Sequence, residues 1–147
     1  MSKARDRALE LFKADWLCAE SVLLALAEAH GVASPLIPRI ATPLCAGFGR
    51  AGGPCGALTG ALLALGVLRG RNEPDREAWL AAQSLALEFT TRFAQRFGHT
   101  TCPGLLGVDL NTADGQKAFA GQEMKQKKCK EYVLGAVELA EAVLEEE

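Results

Sequence analysis

No Cys-x-x-Cys and no Cys-x-x-Cys-His occurs in this 147-residue chain, so neither a thioredoxin-like dithiol nor covalent c-type haem is expected. Histidine is scarce, with only His30 and His99. Neither has a sequence-local carboxylate partner that would suggest the acid/base pair of a hydrolase. The phosphate-binding order Gly-x-x-x-x-Gly-Lys-Ser/Thr is missing as well, which leaves nucleotide binding weakly supported. Sixteen Lys and Arg against eighteen Asp and Glu give a formal net charge of −2, without the basic field that nucleic acid requires. The most apolar run, Gly56 to Leu68, falls short of the ~20 residues that cross a bilayer, so no membrane association is expected. The charged start Met1 to Arg7 leads into an amphipathic helix, not an apolar signal core, and a cytoplasmic location follows as an expectation. Period-two alternation, internal repeats and linkers are absent too. What remains is one all-α domain over residues 1–147, long enough to bury roughly two thirds of its unfolded surface without disulfide staples.

Cysteine is what the chain does have, and an odd number of five in a reducing compartment suggests free thiols, metal ligands or transient bridges. Cys55 follows the turn Ala51-Gly52-Gly53-Pro54 and opens an apolar run, which predicts a place in the first turn of a helix. Unpaired N–H groups there stabilise a thiolate. Cys102 precedes Pro103, a residue suited to the first helical position, so Cys102 is the expected N-cap of a short helix. Cys129 lies in Lys125-Gln126-Lys127-Lys128-Cys129-Lys130, whose ammonium groups also favour the anion. Cys18 reads as mid-helix and largely apolar, with no such support. Free cysteine is often a buried small hydrophobe, so simple packing competes with function at these positions, most of all at Cys18. Cys45 opens the glycine-rich stretch Cys45–Pro54 and has an open role. That stretch could bring backbone N–H groups to an anion or cluster, which makes Cys45 and Gly53, with Gly56 just beyond it, candidate cofactor contacts.

The pattern predicts about five to six helices around a central glycine-rich loop. Leu9, Phe12, Trp16, Ala19, Leu23, Leu26 and His30 form one apolar stripe at three- and four-residue steps, with Asp15 an alternative cap after a break near Lys13. Gly56, Gly60 and Ala64 form a row of small residues that lets another helix come close. A long helix is expected from about Asp75 to Phe97, with Trp79, Leu80, Leu87, Phe89 and Phe93 as core anchors, and a final one from about Met124. Trp16, Trp79 and the phenylalanines are expected in the core.

Four segments together resemble a known family of redox-active proteins named for its cysteine pattern, C_GCAxxG_C_C. They are Cys18-Ala19-Glu20-Ser21-Val22, Gly53-Pro54-Cys55-Gly56-Ala57-Leu58-Thr59-Gly60-Ala61, Cys102-Pro103-Gly104-Leu105-Leu106-Gly107, and Cys129. The resemblance implies an all-helical domain related to the iron–sulfur part of split-Soret cytochromes. It implies that Cys18, Cys55, Cys102 and Cys129 form a redox or metal-binding site. The expectation is a redox protein whose four cysteines ligate an iron–sulfur cluster or cycle between thiol and disulfide. A zinc or soft-metal module and a helical interaction protein are the alternatives. A redox partner protein and a homodimer both fit this reading.

Overall fold

The computed structural model describes residues 2–147, of which 73% are helical. Eight helices form among the described residues, more than the five to six expected, and no strand does. They are α1 (Lys3–Lys13), α2 (Cys18–Ala29), α3 (Cys45–Arg50), α4 (Gly56–Arg69), α5 (Arg76–Phe97), α6 (Cys102–Leu106), α7 (Ala113–Gly121) and α8 (Lys130–Glu145). A 3-10 segment, Arg39–Leu44, precedes α3, and a π-helical turn, Lys125–Cys129, precedes α8. No described helix is long and apolar enough to cross a membrane.

Caps set most boundaries. The Ser2 hydroxyl accepts the Arg5 N–H at 3.0 Å to start α1, Asp75 accepts from Glu77 and Ala78 at the start of α5, and Thr112 caps α7. Gly98, at φ +83°, ends α5 in the left-handed conformation that a side chain resists. The expected continuous first helix breaks after Lys13. Asp15 takes φ +73° rather than capping, and the Leu17 N–H donates to Glu20 Oε1 at 3.0 Å. Cys18 is consequently the first residue of α2, not a mid-helix one. At α6 the cap is Thr101, whose hydroxyl accepts the Gly104 N–H, so Cys102 moves from the expected N-cap to the first helical position.

The central loop also differs from expectation. Ala46, Gly47, Phe48 and Gly49 all have φ between +59° and +69°, and Arg50 follows at +72°, so α3 is a turn of left-handed helix. Each non-glycine residue in that conformation costs roughly 1–2 kcal/mol, and three of the five carry side chains. Packing fixes the turn in place: a β-carbon on Gly47 would stand 2.7 Å from Cys102 Cβ and 2.9 Å from the Gly53 carbonyl.

The main core lies between α2, α4 and α8, with α1 and α5 on its flanks and Val22, Leu23, Leu26, Ala61, Phe89 and Val137 fully buried. A smaller cluster of Cys102, Leu106 and Met124 packs with Phe119 and Tyr132. Phe12, Phe89 and Phe93 are buried as expected, but Phe48, Trp16, Trp79, Leu80 and Leu87 are exposed, Leu87 by 69%. On α5 the inward face is the Leu85, Phe89, Phe93 row, which leaves Trp79, Leu80 and Leu87 outside. The row of small residues does what its size permits, since α2 crosses α4 at Gly60, where a β-carbon would lie 2.5 Å from the Ala19 carbonyl oxygen and 2.8 Å from its Cα.

Backbone atoms cannot rotate away from an added methyl at that crossing. Overpacking costs up to about 3 kcal/mol, against a helix-propensity gain of about 1 kcal/mol for replacing glycine by alanine. Gly60→Ala is therefore expected to lower the unfolding free energy by about 2 kcal/mol, read from urea denaturation. An unchanged or higher midpoint would show that the two helices separate more readily than their contact implies.

Candidate functional site

Cys55 and Cys102 come together through the backbone. The Cys55 N–H donates to the Thr100 carbonyl at 2.7 Å, and the Cys102 N–H donates to the Gly53 carbonyl at 2.9 Å. Each segment then turns straight into a helix, α4 after Cys55 and α6 from Cys102. Cys129 ends the π-helical turn, a local widening that is frequent at functional sites. Cys18 opens α2 beside Gly56, where a β-carbon would strike its Sγ.

These four cysteines line one cavity of about 300 Å³, walled chiefly by Phe12, Leu105, Leu106, Leu110, Phe119 and Tyr132. Lys125 and Arg50 supply its cationic edge. Lys125 is balanced by Asp15 at 3.2 Å, and the Tyr132 hydroxyl donates to the Leu105 carbonyl at 3.0 Å. No disulfide joins any of the five cysteines. Among the described residues no group of three or more His, Cys, Asp or Glu side chains is arranged to hold a metal ion.

The electrostatics reverse one expectation. Burial pushes the Cys55 thiol up to about 11, outweighing the Ala57 and Leu58 N–H groups directed at it, and Cys102 adds to the rise. Burial, then the charges of Cys55 and Cys102, push Cys129 up to about 12 despite Lys125. Cys102 is raised by burial alone. The helix-start donors and the lysine are thus present, as the sequence suggests, but desolvation and neighbouring thiols prevail.

Of the other candidates, Gly56 lies on the cavity wall, while Gly53 contributes through its carbonyl to the backbone pair behind it. Cys45 is buried outside the wall. His99 is exposed and does not reach the cavity, and His30 caps the C-terminus of α2. Sequence reasoning missed Glu20, only 7% exposed, although a glutamate three residues after a helix start is half of a capping box. It also missed Tyr132, which carried no local sequence signal for a site.

A family model described as "Putative redox-active protein (C_GCAxxG_C_C)" matches residues 16–143, and so takes in all four wall cysteines. The chain belongs to the C_GCAxxG_C_C family. No curated protein and no solved structure matches it. In this C_GCAxxG_C_C protein the name-giving block sits where the glycines are sterically required, at the Cys18 sulfur for Gly56 and the Ala19 backbone for Gly60.

A thiol raised from 9.0 to about 11 has roughly a hundredfold less thiolate at pH 7, since each pKa unit is tenfold. Its greater intrinsic nucleophilicity recovers about tenfold of that. Cys55 in the folded, metal-free chain is therefore expected to react with iodoacetamide about tenfold or more slowly than a free thiol, and faster with each pH unit up to about 11. Mass-spectrometric labelling kinetics check this, and rapid neutral-pH alkylation of Cys55 would refute it.

Proposed function

We propose that this protein is a redox protein that holds an iron–sulfur cluster on the thiolates of Cys18, Cys55, Cys102 and Cys129. The observation that carries the reading is their placement on four separate segments around one apolar cavity. Four thiolates are a common ligand set for such clusters. A bound cluster supplies one-electron redox chemistry there. The chain's own part is to exclude water with Leu105, Leu106 and Phe119 and to aim the Ala57 and Leu58 N–H groups at the Cys55 sulfur. Such donors tune a potential from outside the ligand set.

Cycling between dithiol and disulfide among Cys55, Cys102 and Cys129 is a weaker reading, because burial leaves these thiols largely protonated at neutral pH. A metal cation removes that obstacle by deprotonating its thiol ligands. Zinc would use the same four sulfurs, and the metal taken up separates the two readings.

Anaerobic reconstitution with ferrous iron and sulfide is expected to yield bound iron, acid-labile sulfide and a reducible visible absorption. Cys55→Ser and Cys129→Ser, with helical circular dichroism retained, are expected to lose most of all three. A colourless, iron-free protein refutes the cluster; stoichiometric zinc without a reducible centre replaces it by a metal-binding module.

Gly56→Ala offers a subtler test, because its methyl would meet the movable end of Cys18 and stand 3.3 Å from the Ala19 nitrogen and the Cys45 Cα. Displacing a side-chain sulfur costs less than displacing backbone, and the helix gains about 1 kcal/mol. Stability is expected to change less than in Gly60→Ala while iron uptake falls. Full uptake would remove Cys18 from the ligand set.

A further inference from the structure

The fifth thiol, Cys45, lies behind the cavity wall but not apart from it. A hydrogen bond with Cys18, then burial, hold its thiol well above the ordinary range, against the Ala19 and Glu20 N–H groups at the start of α2, so it stays a protonated thiol beside Cys18 until Cys18 is oxidised. Gly56 forms a common floor, since a β-carbon there would strike Cys18 Sγ and lie 3.3 Å from Cys45 Cα. Glu20 ties the two backbones together: Oε1 takes the Leu17 N–H at 3.0 Å, and Oε2 takes the Thr42 hydroxyl at 2.7 Å. Cys45 Sγ stands 3.9 Å from Glu20 Oε1. The thiols thus fall into two sets. Cys102 acts on Cys55 and both act on Cys129, while Cys18 acts on Cys45.

Access orders the pair. Cys18 is half-buried on the cavity wall, and Cys45 is buried behind it, so a small oxidant entering the cavity meets Cys18 first. We propose that Cys45 is the resolving thiol for Cys18, and that the two close a disulfide when a hydroperoxide reaches the metal-free cavity.

In the first step the Cys18 sulfur attacks the distal peroxide oxygen. An S–O bond forms, the O–O bond breaks, and the departing alkoxide leaves as alcohol (water, for hydrogen peroxide) with the thiol proton. The product is the Cys18 sulfenic acid, which condenses with a nearby thiol. In the second step Cys45 attacks the Cys18 sulfur, the S–S bond forms, and the S–O bond breaks. The hydroxide leaves as water with the Cys45 proton, passed to it from the sulfur or by way of Glu20 Oε1 3.9 Å away. Two thiols lose two electrons and two protons, and one hydroperoxide becomes one alcohol and one water.

The inference does not depend on what fills the cavity, and the test keeps the two separate. The full chain, stripped of metal with a chelator and assayed for iron and zinc, is treated with one equivalent of hydrogen peroxide. It is then blocked with N-ethylmaleimide and digested without reductant. The expected product is a Cys18–Cys45 cross-linked peptide, reversed by dithiothreitol, with Cys55, Cys102 and Cys129 still alkylated. In Cys45→Ala the cross-link is expected to vanish and dimedone-trapped sulfenic acid at Cys18 to rise several-fold. Cross-linking of Cys18 mainly to Cys55, Cys102 or Cys129, or full alkylation of both Cys18 and Cys45, overturns the proposal. A chain that closes this bond yet takes up no iron and sulfide overturns the cluster alone.

Discussion

Two backbone hydrogen bonds hold the site together, Cys55 N–H to the Thr100 carbonyl and Cys102 N–H to the Gly53 carbonyl. They join the end of the glycine-rich stretch to the turn after α5, which places the two thiols together where α4 and α6 begin. The left-handed turn α3 packs directly on this junction through Gly47, and its unfavourable conformation persists because the surrounding contacts over-determine it. Cys18 and Cys129 complete the cavity wall from the first turn of α2 and the last residue of the π-helical turn.

Helix starts recur at the site, since Cys18, Cys55 and Cys102 all stand at the N-terminal end of a helix. An N-terminal N–H group favours negative charge on a nearby sulfur, but taking that sulfur out of water opposes it, and several thiols sharing one cavity oppose it further. For Cys55 and Cys129 the second effect is larger. The site is therefore better matched to charge arriving from a bound cation than to free thiolates waiting in an empty space.

Helical content and most helix ends were legible because they depend on local chemistry: Asp75 before α5, Gly98 after it, and Thr112 before α7 are short-range signals. The small residues of α4 announced a close crossing correctly, since Gly60 has no atom to keep α2 away. The errors arose where tertiary packing decides. Trp79, Leu80 and Leu87 fit an apolar stripe, yet the neighbouring Leu85, Phe89, Phe93 row won the inward face. The reversed hand of Ala46 to Arg50 was not legible, because only contacts from Gly53 and Cys102 make it tolerable. The four wall cysteines were identified through family resemblance; no spacing rule brings residues 18 and 129 together.

Wide separation along the chain has a mechanical consequence. A group grasped simultaneously by Cys18, Cys55, Cys102 and Cys129 would close three successive loops spanning most of the polypeptide, restricting the unfolded chain as cross-links do. Its occupancy would then be coupled to global unfolding, not to local fraying of any single helix. Excising either end of the chain would sever a contact point, so no short peptide could retain the whole grip.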